Sequence, residues 1–136
     1  MASLYLRAYS LLPEPLKRRI NPLKYAIEAF VQSAGYEANR AVVLDAGAGE
    51  ARFRRFFKNQ LYVALDSTVG DSDWDYSRIQ VCAHLEAIPL PDQRVDVVLN
   101  IQVLEHVPDP QLVLREVYRV SQARWTFVSN GSPGLV

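Results

Sequence analysis

The stretch AVVLDAGAGEARF (41–53) decides how this chain is read. Its first part, AVVLDA (41–46), is the near-continuous apolar run of a strand buried on both faces. The run breaks at Gly47-Ala48-Gly49, and a helical pattern carrying Phe53, Phe56 and Phe57 follows. Glycines at a strand-to-helix turn let the backbone come close to a ligand, and a helix start offers unpaired N–H groups. A bare Gly-x-Gly is a common turn, so its surroundings have to carry the reading.

Working outward, the same texture repeats. LYVALD (61–66) reads as a second strand, IQVCA (79–83) as a short third, VDVVLN (95–100) as a fourth and WTFVS (125–129) as a fifth. A polar loop containing Trp74-Asp75-Tyr76 separates the second from the third. Those two aromatic rings can wall a flat ligand or lie buried under their own loop. Asp109-Pro110 is a cap followed by proline at the first helical position, with Leu114, Val117, Tyr118 and Val120 on the buried face behind it. Strands alternating with helices imply right-handed crossovers and a mostly parallel sheet, hence an α/β sandwich. Upstream, Asn21-Pro22 starts a helix with the stripe Leu23, Ile27, Phe30 and Val31, and Gly35 marks its expected stop. Residues 1–20 carry Leu4, Leu6, Leu11, Leu12, Leu16 and Ile20, broken by Pro13 and Pro15. The division is a helical lead-in over 1–40, packed on the core, and an α/β domain over 41–136.

Composition narrows the classes. The chain has 136 residues, 49% of them hydrophobic and 22% charged, which excludes a disordered or collagen-like polypeptide. Cys82 stands alone, so neither a disulfide framework nor a multi-cysteine zinc site is available, and Cys82, His84 and His106 form no metal pattern. Fifteen bases against fifteen acids give no overall field for nucleic acid or an acidic membrane. No apolar run reaches the roughly 18 residues of a membrane span. The basic cluster near the N-terminus follows its apolar stretch, the reverse of a signal peptide, so the expected setting is the cytoplasm.

Two acids sharpen the glycine turn. Asp45 closes the first strand, where its carboxylate can face a ligand or pin the turn. Asp66 closes the second, about twenty residues beyond, where an acid can accept both hydroxyls of a ribose. A dinucleotide fingerprint requires a small sixth residue in its glycine series, and Arg52 occupies that position. The order Asp-x-Gly-x-Gly instead resembles the first motif of class I S-adenosylmethionine-dependent methyltransferases. VALDS (63–67) resembles the family's second-strand motif, and AHLEAIPLPDQRVDVVLNIQVLEHVPDPQLVLREVYRV (83–120) its third strand, fourth strand and following helix. The likeness covers 41–120 and implies a Rossmann-like sandwich that binds S-adenosylmethionine.

By that resemblance Asp45, Ala46, Gly47, Ala48 and Gly49 would line the methionine and ribose portion, with Asp45 near the amino group. Asp66 would hold the ribose hydroxyls with Ser67 beside it. His84 and Leu85 would meet the adenine edge, and Asn100 would lie under the methionine carboxylate or sulfonium. Ala51 replaces a frequent third glycine. His84 replaces a usual aspartate and can accept a hydrogen bond only while neutral, which implies weaker binding. Glu105 and His106 follow the fourth strand, yet that segment recurs across many substrates in the family, so no catalytic residue is assigned. Cys82 reads as a small core residue, and Arg52, Arg54, Arg55 and Lys58 as a solvated helix face.

The end of the chain departs from the family, whose helix turns through Lys-Pro-Gly-Gly into the fifth strand. Ser121 onward reads SQARWTFVSNGSPGLV. These residues can be encoded so that a shift of one nucleotide reads Leu-Lys-Pro-Gly-Gly-Arg-Leu-Phe-Leu-Thr-Ala-Pro-Gln-Gly-Trp, the family's own continuation. A frameshifted tail over 121–136 and missing C-terminal strands are therefore expected, leaving a bare sheet edge. The implied activity is methyl transfer to an unidentified acceptor, small molecule or macromolecule. The alternative is a truncated cofactor-binding remnant without turnover.

Overall fold

The computed structural model describes residues 7–37, 40–122, 126–129 and 132–135. Strands β1 (Val42–Ala46), β2 (Leu61–Asp66), β3 (Val81–Cys82), β4 (Val97–Ile101), β5 (Thr126–Ser129) and β6 (Ser132–Leu135) form one sheet of order β3-β2-β1-β4-β5-β6. The first five run parallel, as alternation with helices predicts, and β6 returns antiparallel to β5. The strand order switches direction between β1 and β4: β2 lies on one side of β1, and β4 on the other. Such a switch opens a crevice at the carboxyl ends of the strands. Gly47 and Asn100 both stand at that edge.

Two apolar layers cover the sheet. Helix α2 (Pro22–Glu37) sends Ile27 and Val31 against Val43, Ala64 and Leu99 on one face, joined by Phe53, Phe57 and Tyr62. Its N-cap forms as read, with Lys24 N–H donating to Asn21 Oδ1 at 3.1 Å. Helix α3 (Pro110–Val120) sets Val113, Val117 and Val120 on the other face, over Leu44, Ala46, Leu65 and Val98. Asp109 caps it through Leu112 N–H at 3.0 Å. The buried stripe is shifted from the expected one: Val113 belongs to it, whereas Tyr118 is 75% exposed.

The pattern after the glycine turn is a 3-10 turn, Arg52–Phe56, and not a full α-helix. Helix α2 supplies the cover that a crossover helix would have given. Strand β3 shrinks to two residues because Gln80 substitutes for the ladder: its amide accepts from Ala64 N–H at 2.8 Å and donates to Tyr62 C=O at 3.2 Å. Gly35 lies inside α2 rather than ending it. A Cβ there would sit 2.6 Å from the Phe56 carbonyl oxygen, so the glycine permits close packing of helix on turn.

The expected bare edge is covered in part, since β6 pairs the outer side of β5 from Thr126↔Leu135 to Ser129↔Ser132. Leu4, Leu6 and Trp125 lie outside the described residues. Helix α1 (Glu14–Ile20) buries none of its residues, so among the described residues of the 1–40 lead-in the core contacts come from α2.

Glu116 and Arg119 clamp the segment after β3 onto α3. Glu116 accepts from Ile88 N–H at 2.8 Å, and Arg119 donates to the carbonyls of Ile88 and Leu90 at 2.8 and 2.9 Å. The Arg119 guanidinium holds the Glu116 carboxyl below the usual range. Replacing Gly35 by Ala forces backbone apart at the α2–turn contact and is expected to cost about 1–3 kcal/mol. Urea unfolding of Gly35→Ala checks this, and an unchanged midpoint contradicts the close-packing role.

Candidate cofactor site

The turn after β1 is held by its neighbour strand. Gly47 and Ala48 donate their N–H groups to the Leu65 carbonyl at 2.9 and 3.0 Å. Gly49 N–H donates to Asp66 Oδ2 at 2.9 Å, and Thr68 N–H to Asp66 Oδ1 at 2.7 Å. Gly47 (φ +84°) and Gly49 (φ +53°) take left-handed conformations that favour glycine. The three turn amides are thus engaged within the chain, unlike the unpaired donors expected of a helix start. The bare faces of the glycines are also occupied. A Cβ on Gly47 would meet Val103 Cγ2 at 2.6 Å, and one on Gly49 would meet the Trp74 ring at 2.9 Å.

Asp45 is 1% exposed, in register between Ala64 of β2 and Leu99 of β4. Its carboxylate accepts a short hydrogen bond from the Tyr62 hydroxyl. Burial pushes its pKa up to about 6, partly opposed by the Tyr62 hydrogen bond and the Arg52 charge. Burial and the Asp45 charge together drive the Tyr62 phenol well above its ordinary value. Asn100, 3% exposed, donates from Nδ2 to the Ala46 carbonyl at 3.0 Å, which places its side chain at the glycine turn. Its Oδ1 is buried and has no hydrogen-bond partner among the described residues.

Of the residues singled out from sequence, Asp45, Ala46, Gly47, Ala48, Gly49, Asp66 and Asn100 therefore meet around one turn. Ser67 follows Asp66 and accepts a long contact from the Cys82 thiol at 3.8 Å. His84, exposed, and Leu85, buried, stand at the exit of β3, whose Cys82 is in register with Asp66. Cys82 itself is exposed, not a core residue, because the two-residue strand leaves its side uncovered. Glu105 and His106 are exposed in a short 3-10 turn. The arginine face is also less free than expected: Arg55 pairs with Glu28 at 2.7 Å, and Arg54 reaches Gln80 at 2.6 Å while lying over the Tyr62 ring.

Val103 and Tyr62 escaped the sequence reading. Tyr62 meets Asp45 through strand register and Val103 meets Gly47 through the path of the loop after β4, and no local pattern records either. Trp74, 47% exposed, lies against Gly49, and Asp75 N–H donates to Glu50 at 3.3 Å, so its loop folds across the turn.

A glycine turn at the switch point of a parallel sheet, with an acid on each flanking strand end, defines a nucleoside-cofactor domain of the α/β class. The particular family follows from comparison. The profile of the family described as "Methyltransferase domain" matches residues 44–124, and the chain belongs to that family. It is 37% identical over 89 residues to a protein of Mycobacterium tuberculosis described as a probable S-adenosylmethionine-dependent methyltransferase, covering 57% of this chain and 31% of that one. It is 34% identical over 96 residues to the malonyl-[acyl-carrier protein] O-methyltransferase of Yersinia pestis, covering 65% and 35%. The chain thus spans about a third of the length of these curated relatives.

Among solved structures, a SAM-dependent methyltransferase from Aquifex aeolicus superposes with TM-score 0.61 at 17% identity, covering 90% of this chain and 71% of that one. The Burkholderia thailandensis 1,6-didemethyltoxoflavin-N1-methyltransferase, solved with S-adenosylhomocysteine, gives 0.55 at 22%, covering 92% and 59%. At these identities the likeness is one of fold, and it bears out the Rossmann-like α/β sandwich.

Because folding raises the Asp45 pKa, the folded protein holds that proton more tightly than the unfolded chain does. The contribution of Asp45 to stability is therefore greatest below about pH 4, declines as pH rises to about 6 and stays level above. Asp45→Asn keeps an acceptor for Tyr62 and removes the titration. The difference in melting temperature, variant minus wild type, is expected to rise across that window. A flat difference contradicts the buried, proton-holding carboxyl.

Proposed function

We propose that this chain is the cofactor-binding portion of an S-adenosylmethionine-dependent methyltransferase acting in the cytoplasm on an acceptor that is not a nucleic acid. The observation that carries the reading is Asp66: it closes β2 beside the glycine turn, tied to Gly49, where a ribose would be met. Two further features fit that cofactor. Asn100 Oδ1 is a buried acceptor still lacking a partner at the turn, suited to an ammonium donor. Gly47 and Gly49 hold left-handed conformations that keep the turn tight beside Asp66. Asp66 would take the ribose hydroxyls with Ser67 alongside, His84 and Leu85 would border the adenine, and Asp45, Ala46 and Ala48 would line the turn. When bound, the cofactor supplies an activated methyl group on a sulfonium, which leaves as a neutral thioether. The protein's task is to orient donor and acceptor and exclude water.

A second reading, a non-catalytic remnant or cofactor-binding module of such an enzyme, is favoured on its remnant side by the packing of Val103 and Trp74 on the glycine faces that a ligand needs. Titration calorimetry with S-adenosylmethionine, S-adenosylhomocysteine and NAD separates these from a dinucleotide site. Binding of NAD alone contradicts the proposal; binding of the methyl donor with no methyl transferred to any acceptor supports the second reading. Asp66→Ala is expected to weaken S-adenosylhomocysteine by about 1.5–3 kcal/mol, roughly tenfold to a hundredfold. Unchanged affinity refutes the ribose role.

A further inference from the structure

The neutral total charge conceals a strong local asymmetry. Residues 7–24 carry Arg7, Lys17, Arg18, Arg19 and Lys24 against one acid, Glu14, which leaves the rest of the chain with an acidic excess of four. Glu14 is itself engaged, by Lys17 at 3.1 Å and by the Tyr25 hydroxyl at 2.8 Å. Arg18 and Lys24 lie over the Tyr25 ring at 4.9 and 5.6 Å and keep their charge there.

On this basic segment four aliphatic side chains are outside. Leu11 is 85% exposed, Ile20 49% and Leu16 42%, and Leu23 at the start of α2 is exposed as well. Leu16 and Ile20 are one helical turn apart and share a face of α1, and Arg19 flanks them. Aliphatic groups left in water beside a cluster of cations mark an interaction surface.

We propose that the outward face of residues 7–24 docks on an anionic lipid surface. The chemistry selects the partner. Phosphate headgroups would take the cations while the acyl boundary takes Leu11, Leu16 and Ile20. A nucleic-acid backbone would satisfy only the cations and strand the aliphatic groups in water. The attachment is peripheral: α1 is short, prolines precede and interrupt its start, and no helix of the described residues is long and apolar enough to cross a membrane. Docking of this kind would present the cofactor domain to acceptors held at a membrane.

The test is co-sedimentation of the full chain with vesicles of phosphatidylcholine alone and of phosphatidylcholine with a third phosphatidylglycerol. Binding to the anionic vesicles only, falling steeply with added salt, is expected. Arg19→Gln should weaken it about fivefold, the weight of one cation near such a surface. Leu16→Gln with Ile20→Gln should abolish it while the melting temperature stays put, since both side chains are already exposed. Equal binding to neutral vesicles, no binding at all, or full binding by the double variant overturns the proposal. A chain that ignores vesicles but self-associates, or captures an acidic protein, has a different partner and overturns it equally. None of these outcomes depends on the cofactor reading.

Discussion

The carbonyl of Leu65 takes the N–H groups of Gly47 and Ala48, and the carboxylate of Asp66 takes those of Gly49 and Thr68. The end of β2 thereby fixes the turn that leaves β1, and every other feature of the site is arranged around that tie. Charge-assisted hydrogen bonds from backbone amides to a carboxylate are among the stronger ones available to a fold. Together these bonds cost the turn its free donors, so a ligand has to be recognised by Asp66 and Asn100.

The two layers exist to hold that edge steady. Helix α2 covers the face where the β1–β2 crossover forms only a 3-10 turn, with Gly35 letting it approach the Arg52–Phe56 turn. On the other face α3 buries three valines and, through Glu116 and Arg119, clamps the segment that leaves β3. Asp45 lies between the layers, in the middle of the sheet, and its cost of burial is offset in part by Tyr62. Its tie to Tyr62 is the buried polar link between β1 and β2.

Much of this was legible because it rests on local chemistry. Asn21 and Asp109 read as caps since a short polar side chain before proline has few other uses, and β2 was read to the residue from its apolar run. The chain order of strands and helices was enough for the parallel sheet. What escaped depends on contacts between distant segments. Gly35 looked like a helix stop, since its purpose is the Phe56 carbonyl across the fold. Tyr118 looked buried by periodicity, yet α3 is rotated toward Val113. Val103 on Gly47 and Trp74 on Gly49 follow from loop paths that no spacing records. The lead-in leucines looked like core material, and three of them face outward.

The central claim is that the β1 turn, the β2 acid and the β4 amide make one cofactor site. Amide chemical shifts of the isotope-labelled chain, followed while S-adenosylhomocysteine is added, test it most directly. Saturable changes are predicted at Gly47, Ala48, Gly49, Asp66, Ser67, Leu85 and Asn100, together with the Trp74 indole. No change at these residues, or changes confined to another part of the chain, would contradict the account.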